Sequence, residues 1–281
     1  RSLEPAMPYA EAMRIFILQP KLDDGPSFLA SFLRARGLGF ELCSVESGDV
    51  VPEWAEPYDA IAMLGGSMSV NDDLPWLKRA EALLRDAVAR QVPVLGHCLG
   101  GQMLAKALGA RVTSNPQPEI GWSRIELARS ADALALAQAW FGVAVGVPDQ
   151  GVAAEGDSPA SDASTAARDA VTLPVYQWHN ETFALPAGAT LLAHNAACAH
   201  RAFAIGPHLG MQFHIEVDAA KLDRWCGEAP VAGSALAAFG SVQTEAPMRA
   251  DTTRLLAHSQ RVANHIYTHW LEQASDRLQR G

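Results

Sequence analysis

The sequence predicts an α/β fold in which a mostly parallel central sheet carries helices on both faces. Three observations point there. Short apolar runs alternate with amphipathic stretches of helical period through the first 108 residues. Two of those runs end directly in glycines, Gly65-Gly66 and Gly96. The second of them leads without a break into a glycine-rich turn and another helix.

The elements follow in order. Residues 14–18 (Arg-Ile-Phe-Ile-Leu) are short and apolar, as in a buried strand. Residues 26–36 place Phe28, Leu29, Phe32 and Leu33 on one helical face, and Gly37 stops the helix. Residues 40–45 and 59–64 read as the next two strands. Pro75 suits the first turn of a helix over 75–90. A fourth strand, 92–95, feeds Gly96-His97-Cys98-Leu99-Gly100-Gly101-Gln102 and a helix to Leu108.

Beyond this point the character changes. Residues 121–127 alternate like an exposed edge strand. Residues 128–170 are rich in Ala, Asp, Ser and Gly, and 149–169 read as a surface insertion. Short strands are expected at 173–178, 189–194, 201–205 and 209–213, separated by turns at Pro186-Ala187-Gly188 and Gly206-Pro207. Asp218 caps a helix over 218–226, and a long amphipathic helix spans 248–278. No repeat or linker interrupts 13–281, which is expected to form one domain after a flexible leader at 1–12.

Composition narrows the function. The chain has 281 residues, 49% of them hydrophobic and 19% charged, which suits a folded protein. Its formal charge of −9 and the lack of any Lys/Arg run argue against nucleic acid as a partner. No apolar stretch has the length of a membrane span, and the start has no signal-peptide core. The four cysteines show no Cys-x-x-Cys spacing and no disulfide framework, so a reducing cytoplasm is the expected location. His265 and His269 are one helical turn apart, but without an acidic partner they read as a solvated face rather than a metal site.

The chemical signal is Gly96-His97-Cys98-Leu99-Gly100. A nucleophile between two glycines at a strand-to-helix turn is held proud of the sheet on a bend too tight for flanking side chains. A helix N-terminus favours thiolate over thiol, and the Leu99 amide would point to where an oxyanion develops. The same pattern also fits a glycine-rich turn with a passive cysteine. A cysteine nucleophile needs a base and a group that orients it. His214 and Glu216 follow an apolar run at the C-terminal end of an expected strand, the edge where open α/β sheets collect their sites. Alone, that pair reads as a surface histidine beside a solvated acid; with the Cys98 turn it reads as base and orienting acid.

Together these segments, with Gly65-Gly66-Ser67, resemble the class I (triad-type) glutamine amidotransferase family, in order and separation, from about residue 13 to 226. The resemblance implies a flavodoxin-like fold, with Cys98 as nucleophile, His214 as general base and Glu216 as its orienting acid. It implies an oxyanion hole from the backbone amides of Gly66 and Leu99, and a substrate contact from Gln102. The segment Gln177-Trp178-His179-Asn180-Glu181 resembles the family's loop near the substrate's amino-acid end and makes His179 a second candidate contact; a buried Trp beside a surface His explains it nearly as well. Ile215 stands where the family usually has proline, a stiffer spacer, and His97 where an aliphatic residue is common.

The implied ligand is glutamine or another γ-glutamyl compound, with no metal or organic cofactor required. Three readings stay open: a glutaminase that passes ammonia to a separate synthetase, a stand-alone hydrolase of γ-glutamyl peptides or amines, and a non-catalytic binding protein on the same scaffold. No Gly-x-x-x-x-Gly-Lys loop or room for a fused synthetase is seen, and the intact set of reactive residues weighs against the third reading.

Overall fold

Among the described residues, nine strands form one sheet in the order β2-β1-β3-β4-β9-β8-β7-β5-β6. The computed structural model describes residues 13–142 and 171–280. The expected leader and the expected insertion at 149–169 lie outside the described residues.

The chain begins with β1 (Ile15–Gln19), α1 (Ser27–Ala35), β2 (Glu41–Ser44), β3 (Ala60–Met63), α2 (Pro75–Ala89), β4 (Val94–His97) and α3 (Leu99–Ala107). It continues with β5 (Val112–Leu127), α4 (Ala131–Phe141), β6 (Thr172–Phe183), β7 (Thr190–His194), β8 (Ala202–Ile205), β9 (His208–Met211), α5 (Ala219–Gly227) and α6 (Glu245–Arg280). Five contiguous strands, β2, β1, β3, β4 and β9, run parallel to one another. The pairings from β9 outward through β8, β7, β5 and β6 are antiparallel.

Side-chain alternation along β1 splits the core in two. Ile15 and Ile17 pack with Leu29 and Phe32 of α1, Trp140 of α4, and Ile266 and Trp270 of α6. Phe16 and Leu18 pack on the opposite face with Leu83 and Leu84 of α2 and Met103 and Leu104 of α3. Every residue of β1 is buried, as two-sided coverage requires. A third cluster joins Ile120 and Trp122 of β5 and Tyr176 of β6 to Leu222 of α5 and Met248 of α6.

Two sequence expectations are corrected. The strand expected at 121–127 to be an exposed edge is interior, because β6 pairs along its outer side and takes the edge position. It also starts earlier, at Val112, and its ladder shifts register between Ser114 and Glu119 around Pro116 and Pro118. Proline cannot donate to a ladder, so the irregularity accommodates both. Within 128–170, where the sequence marks no helix or strand, 131–141 forms α4 and buries Trp140 and Phe141.

Candidate active site

Cys98 is the single residue between the end of β4 and the start of α3. Its backbone sits at φ 50°, ψ −108°, a region that L-residues avoid and that costs about 1–3 kcal/mol to hold. The flanking structure fixes it: the Cys98 amide donates to the Met211 carbonyl at 2.9 Å, and its own carbonyl accepts from the Gln102 amide at 3.0 Å. The glycines permit this approach. A Cβ on Gly100 would collide with the Met63 carbonyl oxygen, and one on Gly96 would lie 2.6 Å from the Gly100 backbone.

Topology brings the histidine to the sulfur. β9 pairs directly with β4 in parallel, with His97 opposite Met211, so the segments after the two strands emerge on the same edge of the sheet. His214 is then anchored through its amide, which donates to the Tyr176 carbonyl at 2.9 Å. Its Nδ1 lies 2.7 Å from Oε1 of Glu216, and the neighbouring Cys98 side chain helps the ring hold its proton. The Cys98 thiol additionally meets the Trp178 carbonyl and Nε2 of Gln212, each at 3.7 Å.

Electrostatics favour the charged pair. Burial works against a protonated His214, but the Glu216 carboxylate and Cys98 outweigh it and push its pKa up to about 10. Burial likewise opposes the Glu216 charge; the Lys221 ammonium and His214 overcome it and hold the carboxyl well below the usual range. His97, by contrast, is buried with little compensation, which pushes its pKa down to about 4 and keeps it neutral.

Cys98 and His214 open into a cleft of about 390 Å³ whose walls include Gly66, Gln102, Trp178 and His179. Gly66 lies against Leu99: a Cβ on it would fall 2.9 Å from Leu99 Cδ2. Gln102 donates from Nε2 to the Glu181 carbonyl and to Oε1 of Gln212, both at 3.2 Å. His179 departs from its expected role. Burial lowers its pKa, and both its nitrogens already face protein: Nδ1 meets the Glu181 carbonyl at 2.9 Å and Nε2 meets Arg201 at 3.1 Å. Glu119, paired with Arg201, closes this buried network. The ring has no spare nitrogen for a ligand, so it braces the cleft wall.

Three site residues escaped the sequence reading: Lys221, Asp24 and Gln212. Lys221 is completely buried, pairs with Asp24, and donates to Oε1 of Glu216 at 3.1 Å. Its place in the first turn of a capped helix was legible, but nothing marked it as inward-facing. On α6, His265 reaches across to the Ala139 carbonyl of α4 at 3.0 Å, and His269 lies 3.5 Å from Glu272 on its own helix.

An α/β sheet with a strained cysteine at a strand–helix turn, and a histidine–carboxylate pair just beyond the adjoining strand, defines an amidotransferase-type protein. The family model for glutamine amidotransferase class-I matches residues 27–224, and the chain belongs to that family. The crystal structure of a glutamine amidotransferase from Methylobacillus flagellatus is 33% identical, with a TM-score of 0.78, covering 92% of this chain and 94% of that one. The glutamine amidotransferase-like protein YfeJ of Salmonella typhimurium is 28% identical over 211 residues, 73% of this chain and 76% of the relative. The glutamine-hydrolysing GMP synthase of Aeromonas salmonicida is 29% identical over 189 residues, 66% of this chain but only 30% of that enzyme.

Proposed function

We propose that this protein hydrolyses the γ-glutamyl amide of glutamine through Cys98, His214 and Glu216. The observation that carries the reading is the strained Cys98 turn opening into the same cleft as a buried, ion-paired His214. In this scheme the Cys98 thiolate attacks the side-chain carbonyl carbon and forms a C–S bond. The amides of Gly66 and Leu99 hold the resulting oxyanion; losing one such donor typically costs roughly 2.7–4 kcal/mol of barrier. The C–N bond breaks as the His214 imidazolium gives its proton to the leaving nitrogen, so ammonia departs. His214, now neutral, takes a proton from water, and the hydroxide cleaves the thioester. Glutamate leaves and the Cys98–His214 pair is restored. Gln102, on the cleft wall, orients the substrate.

The GMP synthase relative, which carries further chain beyond the matched part, supports ammonia delivery to a separate synthetase. The cleft volume of about 390 Å³ supports a second reading, a leaving group larger than ammonia, since small-molecule sites span roughly 300–1,000 Å³. Residence in a reducing cytoplasm accords with four free cysteines.

The test is release of glutamate from glutamine and from γ-glutamyl amines by the purified chain, alone and with cell extract. Glutaminase turnover that rises with extract supports the first reading, and strong turnover of γ-glutamyl amines alone supports the second. No glutamate from either substrate under either condition would refute both.

A further inference from the structure

We infer that Lys221 is a positioning residue for the hydrolytic reaction, gripping both side chains that hold the His214 imidazole and tethering them to the cleft wall at Asp24. The inference rests on the proposed chemistry of Cys98 and His214, and concerns what keeps that pair aligned.

Two side chains brace the His214 ring. Glu216 meets Nδ1 at 2.7 Å, and Trp225 packs edge-on with its centroid 4.9 Å away and the planes at 81°. Lys221 reaches each of them: Nζ lies 3.1 Å from Oε1 of Glu216 and 5.0 Å from the centre of the Trp225 ring. The ammonium also donates to the Gly25 carbonyl at 3.1 Å and pairs with Asp24, so its bonds radiate to separate parts of the site. It is fixed at its base as well, because the Asp218 carboxylate accepts from the Lys221 amide at 2.8 Å and caps α5.

A buried lysine is expensive to desolvate unless its charge is paired and its donors are filled. Here two carboxylates and a carbonyl fill them, which is the pattern of a fixed strut rather than a stray surface chain. Asp24 and its neighbour Asp23 line the cleft, and Arg224, one helical turn after Lys221, donates to the Asp23 carbonyl at 3.0 Å. Helix α5 thus clasps the loop that forms one cleft wall while its lysine holds the acid behind the histidine.

The strut also answers the missing proline. Ile215 gives no ring constraint between His214 and Glu216, yet Glu216 is pinned twice, by Lys221 through its side chain and by the Phe28 amide donating to its carbonyl at 2.8 Å. The charged and titratable groups facing Glu216 are Lys221, His214, His97 at the end of β4 and Tyr267 on α6, with Asp24 beyond Lys221. Of the groups that favour its charge, Lys221 ranks first.

The test compares glutamate release from glutamine by wild type, Lys221→Met and Asp24→Asn across pH, with kcat and KM separated. Without the ammonium, Glu216 holds its proton to higher pH. Lys221→Met should therefore lose about tenfold or more in kcat with KM nearly unchanged, and the acid limb of kcat/KM should move to higher pH. Asp24→Asn, which leaves the Lys221–Glu216 pair in place, should lower kcat several-fold; it decides the matter if Lys221→Met does not fold. Wild-type kcat with an unmoved acid limb in Lys221→Met, or wild-type kcat in Asp24→Asn, would overturn the inference. A purely structural lysine would lower the melting temperature and leave the acid limb where it was. An inactive wild type would instead refute the proposed reaction itself.

Discussion

Nδ1 of His214 stands 2.7 Å from Oε1 of Glu216, with both side chains almost wholly buried. The residue between them, Ile215, is itself buried in the main core with Phe213 and Trp270. Sequence alone suggested that losing proline there would loosen the acid. Packing of the isoleucine in the core adds to the hold that Lys221 and the Phe28 amide have on Glu216.

This pair should act as a unit. His214→Asn removes the proton carrier and should reduce turnover roughly 10⁴-fold, measured as glutamate release per folded protein. Glu216→Gln keeps the shape but not the charge that stabilises imidazolium, and it should cost a comparable factor. A loss under tenfold in either variant would remove that residue from the scheme.

Stability should fall in mild acid. His97 and His208 are buried, and desolvation lowers each pKa to about 4. Nδ1 of His208 also accepts from the Val94 amide at 3.2 Å, which requires that nitrogen to be unprotonated. The unfolded chain binds these protons near pH 6.5 and the folded chain does not, so each ring removes stability as pH falls from 6.5 towards 4. The slope is about 1.4 kcal/mol per pH unit for each group. Urea midpoints measured across that window should drop, and His208→Asn should flatten the slope by one group's share. An unchanged slope would contradict the assignment.

The opposite sign applies to His214. Its folded pKa, about 10, lies above its unfolded value, so its contribution is complete below pH 6.5 and is lost as pH rises towards 10. Urea midpoints should therefore decline on the alkaline side as well, and His214→Asn should lessen that decline.

Strain at Cys98 leads to a prediction about stability rather than rate. Its φ of 50° suits glycine better than any residue with a Cβ. Cys98→Ala and Cys98→Gly should both be inactive, yet the glycine variant should be the more stable of the two, by about 1 kcal/mol in chemical denaturation. An alanine variant more stable than the glycine variant would show that the turn is unstrained.

Much of this was legible in the sequence where local pattern and tertiary role coincide. The parallel strands are continuous apolar runs because both faces are covered, and the glycines at Gly96 and Gly100 mark the tight turn directly. The outer sheet was harder. Pro116 and Pro118 disguise the start of β5, since nothing local reveals that a register shift absorbs them. Helix α4 is rich in alanine and carries no sharp polar face, so its period is weak. Lys221 was hidden for another reason: lysine is almost always exposed, and only the fold brings Asp24 from a distant segment to meet it beside Glu216. His179 misled in the opposite sense, because Arg201 and Glu119, which occupy it, come from separate segments of the chain.

The central claim is that Cys98 carries the reaction, and covalent capture tests it most directly. The protein would be incubated with an electrophilic glutamine analogue and the modified residue located by peptide mass spectrometry. Burial raises the thiol pKa at Cys226 and pushes that of Cys43 up to about 11, which makes both poor nucleophiles. A single adduct on Cys98, blocked by excess glutamine and absent in Cys98→Ala, is the expected result. Modification at any other cysteine, or none at Cys98 in protein that turns over glutamine, would contradict it.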